Sequence, residues 1–480
     1  MSQSEKRYFK IYASRIYKKE NRPLLKLFDL IAQQSKYNET KLKSSFGGTH
    51  FAQKKMLLQY KLMDSLKSFH QGKNAHSILD ELLAEFRILL NKSIFKHAEK
   101  KLKKAKQIAE DFELFTELIR IKQAETELYV ATTNADTLDK HIKNMRLEIP
   151  ELVQLLDKEL IIENAYIHFV KANSEREFIR NKEELENLKK STTQIFKINT
   201  EQIGSFHSKI QFYYTKGLYH YLSGDFTESL KWFKKQDQSF TEHPHINSEF
   251  QFEQARTLAN ISLLSIKTRS SDSFRKSYAD LKNCVGKTQR LNNQINYWCY
   301  VLKFSQMVEK GDYQHAIEFS TENHQLDQLE IKFEIENILA TERNLMLFGR
   351  VKSQMMLGQN KKALYLINTF LNSPHSESQQ DAYILIRFLF LILHLELENT
   401  DVVENGIRSL ERYLKQKKRF FLFEETTINL LNKLCLTSNK KIKGNLWNDY
   451  RKKLSEFKQD PFERNATVNF NLVEWLELKI

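Results

Sequence analysis

Glycine and proline are scarce in this chain, 12 and 5 among 480 residues. These two residues punctuate strands, tight turns and phosphate-cradling loops, so their scarcity disfavours all-β folds and doubly wound sheets. Cysteine is scarcer still. Cys284, Cys299 and Cys435 are odd in number, widely spaced and set in apolar helical pattern, which reads as reduced core thiols and not as a disulfide framework. No HExxH, CxxC or dinucleotide-binding fingerprint occurs, so no cofactor or metal is expected. The opening stretch MSQSEKRYFKIYASRIYKKEN is charged throughout and lacks the apolar run of a secretory signal. The most apolar stretch, Tyr383–Leu397, carries Arg387, His394 and Glu396 and falls short of the ~20 apolar residues of a membrane helix. It reads as a buried helix of a cytoplasmic protein with no membrane span.

What the chain does contain is helical pattern. With 41% hydrophobic and 28% charged residues it has material for a large core. Amphipathic segments of about 12–24 residues follow one another, separated by short breaks at His70–Asn74, Ser223–Asp225 and Lys310–Asp312, each with a glycine. Pro23 and Pro150 are expected in the first turns of helices, where a missing N–H costs nothing. Pro244, Pro374 and Pro461 are expected in connections.

A repeat emerges when the breaks are aligned. Gly224-Asp225-Phe226 is followed by Ser229 and Phe233, Gly311-Asp312-Tyr313 by Ala316 and Ser320, and Gln359-Asn360 by Ala363, Ile367 and Phe370; Phe95, Ala98, Leu102 and Ala105 follow the same grammar. An aromatic followed at +3, +7 and +10 by small or apolar residues puts all four on one helical stripe, and the small residue lets a partner helix come close. The glycine before it suits the end of the preceding helix.

This pattern resembles tetratricopeptide repeats, most fully in YYTKGLYHYLSGDFTESLKWF, where Gly217 stands at the family's close-packing glycine and Tyr213 at its large aromatic. In the second copy Phe304 replaces that glycine. The period departs from the family's 34 residues: Gly224 to Gly311 is 87 residues and Gly311 to Gly358 is 47. An intermediate turn near Ser270-Ser271 would restore a rhythm of about 40–47 residues, nearer to other α-solenoids. The expected fold is therefore all-α, an α-solenoid of antiparallel helix pairs with helical caps. Residues 1–75 form a basic N-terminal cap with helices over 4–19, 22–34 and 51–69, residues 76–420 the repeats, and residues 421–480 the C-terminal capping helices.

Two binding surfaces follow. The resemblance implies a groove lined by the first helices of the pairs, near Tyr214, Leu218 and Tyr221, then Ser305 and Val308, then Lys352 and Met355. Longer helices would instead rotate these residues into the core. The second surface is electrostatic. Residues 1–110 hold 24 Lys and Arg against 10 Asp and Glu, the remainder 51 against 50, so nearly all of the net +15 lies in the first quarter. Lys6, Arg7, Lys10, Arg15, Lys18 and Lys19 are interleaved with Tyr8, Phe9, Tyr12 and Tyr17, and Lys100, Lys103 and Lys104 crowd a later helix. Such mixtures suit acidic partners or phosphate backbones, although the later lysines also surround an apolar stripe, as the solvated face of a repeat helix would.

Two motifs look like chemistry and are read as structure. Cys284-Val285-Gly286-Lys287-Thr288 resembles the end of a phosphate loop, but Leu281 stands where its first glycine belongs. His243-Pro244-His245 offers two imidazoles with no further ligand at metal spacing. The sequence thus leads to a non-catalytic scaffold binding a protein or peptide, with a nucleic-acid-associated regulator as the alternative and an enzyme with an unrecognised site as the third reading.

Overall fold

The computed structural model describes residues 1–16, 22–34, 37–46, 50–72, 74–132, 135–243, 249–323, 340–373, 380–468, 470 and 472–477. Among them there are helices and no strands. The chain divides into two compact units, Met1–Leu156 and Asp157–Ile480.

In the first unit, α1 (Gln3–Ile16), α2 (Arg22–Ala32), α3 (Glu39–Phe46) and α4 (Phe51–His70) gather around Phe9, Leu27, Leu42 and Phe51. Helix α3 lies in the stretch that the sequence left without one. After it α5 (Ala75–Asn91), α6 (Phe95–Asp111) and α7 (Phe115–Thr132) pack in chain order. Ala98, Leu102, Ala105 and Ala109 form the buried stripe of α6, and three alanines in that stripe let α5 and α7 approach closely.

The next helix, α8 (Ala135–Arg176), corrects one expectation: Pro150 lies inside it and not in a first turn. The helix tolerates the lost hydrogen bond because residues on both sides of the proline are held. Glu148 pairs with Lys122 of α7, and Leu152 and Leu155 pack on the α5–α7 core.

The second unit continues with α9 (Lys182–Ser191), α10 (Phe206–Leu222), α11 (Phe226–Glu242), α12 (Gln251–Lys267), α13 (Ser271–Asn283), α14 (Gln289–Glu309), α15 (Tyr313–Glu322), α16 (Ala340–Met356), α17 (Asn360–Leu371), α18 (Gln380–Glu396), α19 (Thr400–Gln416), α20 (Leu422–Cys435), α21 (Lys440–Phe457) and α22 (Leu472–Glu477). From α10 onward, consecutive helices pack on each other. Alternate ones do too, α12 on α14, α14 on α16 and α18 on α20. Helix α18 is the apolar stretch expected to be buried; it is the centre of the largest core, with Ile386, Phe388, Leu389 and Leu393 fully inside. Pro461 falls in the turn after α21, whereas Pro244 and Pro374 lie outside the described residues.

One turn geometry recurs. Ser93, Glu113, Gly224, Arg269, Gly311, Gly358, Glu398 and Lys418 all have φ between 54° and 78°. At each of them two bonds close the preceding helix. At Gly224, for example, its own N–H donates to the Tyr221 carbonyl and the next N–H, of Asp225, to that of His220. This is the Schellman arrangement, which satisfies the last carbonyls of a helix and turns the chain at once. The turns inside successive pairs, at 224, 269, 311, 358 and 398, are 45, 42, 47 and 40 residues apart. The expected intermediate turn is therefore present, at Arg269 between α12 and α13.

Close packing follows the repeat as well. A Cβ on Gly217 would stand 2.8 Å from Phe233 of α11, and Ser229 donates to the Gly217 carbonyl at 2.7 Å. Where Phe304 replaces that glycine, the small residue is on the next first helix: a Cβ on Gly349 of α16 would run into the Phe304 ring.

The ends of the second unit are tied together. Arg180, just before α9, reaches Glu424 and Glu463; Arg419 reaches Glu184 at 2.6 Å and Asp381. Around these charges Ile179 N–H donates to Leu222 O at 2.8 Å, and the Asn465 amide to Ile179 O at 2.9 Å. Gly224 adjoins this junction, since a Cβ there would fall on the Asn465 side chain.

Candidate functional site

Helices α8, α10, α12, α14 and α16, alternate helices of the second unit, contribute to one cavity of about 180 Å³. Its wall is largely aromatic and aliphatic, including Tyr166, Tyr214, Tyr221, Leu218 and Trp298. The polar groups are few. The Arg256 guanidinium carbon lies 3.9 Å from the centre of the Tyr214 ring, a cation–π distance, and Asn260 lies one turn further along α12. Glu342 of α16 accepts from the Trp298 indole N–H at 2.9 Å. Burial pushes the hydroxyls of Tyr214 and Tyr221 above the usual tyrosine range, so both remain protonated donors.

Of the groove positions named from sequence, Tyr214, Leu218 and Tyr221 line this cavity. Val308 and Met355 are buried in the cores around Phe304 and Phe348, Ser305 is half-buried on α14, and Lys352 is buried with its ammonium 2.8 Å from Glu474. The contributions of α14 and α16 come instead from earlier turns, at Trp298, Val301, Leu302, Glu342 and Leu345. Arg256 and Asn260 were not found from sequence because their helix pair, α12–α13, turns on Arg269. Without a glycine the pair was inferred only from the spacing of its neighbours, which named no groove positions on α12.

The basic residues of the first unit occupy two places. On α1, Arg7 is exposed, Lys6 is half-buried and Lys10 pairs with Asp29 at 2.7 Å. The side chain of Arg15, and all of Lys18 and Lys19, lie outside the described residues. Of the interleaved aromatics, Phe9 is core, Tyr8 bonds Ser68 and meets the Phe69 ring of α4 at a tilt, and Tyr17 lies outside the described residues. On α6, Lys100, Lys103 and Lys104 are exposed opposite the alanine stripe. Lys103 pairs with Glu99 at 2.7 Å, and the neighbouring Lys101 with Glu85.

The phosphate-loop look-alike is a connection. Gly286 N–H donates to Asn292 and Lys287 N–H to Gln251, both at 2.8 Å, while Thr288 caps α14. Those two amides are thus already bonded to side chains. Of His243-Pro244-His245 only His243 is described, and no metal-capable group of three or more His, Cys, Asp or Glu occurs among the described residues. None of the described helices is long and apolar enough to cross a membrane. No protein-family profile, curated protein or solved structure matches the chain.

Proposed function

We propose that the chain is a non-catalytic helical-repeat scaffold, an α-solenoid of tetratricopeptide-like pairs, that binds another protein. The observation carrying this reading is that alternate helices, α8 through α16, line one concavity in the second unit. Stacked repeats present a partner with a surface in this way, and tyrosine and tryptophan in such a wall suit a peptide segment. The basic first unit supports an acidic partner. Its lysines alternate with Glu85, Glu99 and Glu110, which suits matched charge on a protein better than the continuous phosphates of nucleic acid.

The reading is tested by co-purifying the tagged full chain from its native host with and without nuclease. A protein partner retained after nuclease, and lost from Leu218→Glu, is expected. Retention of nucleic acid alone, abolished by nuclease and by charge reversal of Lys100, Lys103 and Lys104, would replace the scaffold with the nucleic-acid alternative.

A further inference from the structure

Among the described residues, the cavity wall carries a guanidinium, that of Arg256, with no carboxylate in ion-pair contact. Its polar contact is a terminal nitrogen 3.5 Å from the Tyr166 hydroxyl, and its Nε is buried without a partner. Arg256 is half-buried and rests on the Tyr214 and Phe252 rings, and a guanidinium partly withdrawn from water with no anion in contact favours a bound negative charge. A second polar group is open to a ligand. Tyr221, 8% exposed, lines the same wall, and its buried hydroxyl has no hydrogen-bond partner among the described residues.

The wall also contains a carboxylate. Glu342 takes the Trp298 N–H on one oxygen, and a carboxylate has lone pairs for several donors. A simple anion attracted by Arg256 would be repelled by Glu342, and a simple cation the reverse. A ligand carrying both charges on a short apolar body satisfies both. Size sets the rest: a void of about 150 Å³ takes a benzene-sized molecule, so about 180 Å³ takes one ring or branched chain with small substituents.

We propose that this cavity binds a free α-amino acid with an aromatic or large branched side chain, its carboxylate on Arg256, its ammonium on Glu342 and its side chain among Tyr166, Leu218 and Trp298. The site lies in the concavity that the scaffold reading offers to a peptide, so the two occupants compete for it: binding of the free amino acid assigns the cavity to the small molecule and leaves the partner to another surface, and binding of a blocked peptide alone assigns it to the scaffold.

The experiment is calorimetric titration of the full chain with L-phenylalanine and L-leucine, beside 3-phenylpropionate, which lacks the ammonium, and phenethylamine, which lacks the carboxylate. Saturable binding of an amino acid is expected, with the two single-charge analogues weaker by roughly tenfold or more. Arg256→Met and Glu342→Gln should each weaken amino-acid binding by a similar factor, while Lys452→Glu on the exposed face of α21 leaves it unchanged. The analogue series uses the unaltered protein, so it decides the matter even where a variant fails to fold. No amino-acid binding at millimolar concentration, equal binding of all three ligand types, or binding only to a peptide ending in phenylalanine with its N-terminus blocked would overturn the proposal.

Discussion

Arg180 and Glu424, 244 residues apart in the chain, meet as a two-pronged pair, Nη1 to Oε1 at 2.8 Å and Nη2 to Oε2 at 3.0 Å, both side chains almost fully buried. Arg419, Glu184, Asp381 and Glu463 complete the cluster. Burial pushes the carboxyls of Asp381 and Glu463 up, against the pull of Arg419 and Arg180 respectively. Removing one partner strands the other charge in a dry interior, which costs about 3–5 kcal/mol, whereas exchanging both for apolar residues costs far less. Arg180→Met is therefore expected to lower the urea midpoint of the second unit sharply, and Arg180→Met with Glu424→Met to recover part of the loss. Additive losses in the double variant would contradict the pairing.

The recurring turn makes a prediction of opposite sign at two kinds of position. Glu398 is exposed and holds φ 60°; a side chain there costs about 1–2 kcal/mol, and glycine gives back ~0.5–1 kcal/mol through the unfolded chain. Glu398→Gly should thus stabilise by up to about 1 kcal/mol. Gly311, at φ 78°, would meet nothing nearer than 4.0 Å with a Cβ, so Gly311→Ala isolates the backbone strain and should destabilise by about 1 kcal/mol. Thermal unfolding of the two variants beside the parent measures both.

The close approach of α14 and α16 is equally open to test. Gly349→Ala drives a methyl into the fully buried ring of Phe304, and overpacking of about 1–3 kcal/mol should outweigh the ~1 kcal/mol that alanine gains in a helix. A variant as stable as the parent in chemical denaturation would mean that the helices are further apart than described.

In the first unit, Glu39 receives hydrogen bonds or ion pairs from Lys55, Lys43 and Tyr37 at 2.9–3.0 Å, which hold its carboxyl down to about 2 from an ordinary 4.5. The unfolded chain takes up the proton first as pH falls. The tie between α3 and α4 is then complete above about pH 4.5 and is lost between there and about pH 2. Carbon-13 titration of the Glu39 carboxyl should give a midpoint near 2; a midpoint near 4.5 would refute the tie.

Helix content, the buried α18 and the repeat rhythm were legible in the sequence because each rests on local periodicity. The repeat was aligned on glycine turns at 224, 311 and 358, with the copy at Phe95 read from its stripe and the turn near Ser270-Ser271 inferred from spacing alone. Ser93, Glu113, Arg269, Glu398 and Lys418 adopt the same conformation without advertising it. The α12–α13 pair was therefore expected from spacing but without groove positions of its own, so Arg256 was not named. Pro150 misled for the reverse reason, since tertiary contacts on both sides override a local signal. The Arg180 cluster was out of reach, because nothing local marks an arginine whose partners lie more than 200 residues away.

The account depends most on the joining of the two ends of the second unit. Residues 178–179 lie outside helices, and residues 422–423 are the first two of α20, where no earlier turn of the helix can accept their N–H bonds. Yet Phe178, Ile179, Leu422 and Phe423 give their N–H groups to Asp381, Leu222, Glu463 and Glu463. Hydrogen–deuterium exchange of the full chain, resolved to short peptides, should find these four amides protected as long as those in the interior of α18, and exposed together in Arg180→Met. Exchange within seconds in the unaltered protein would contradict the joining of the two ends.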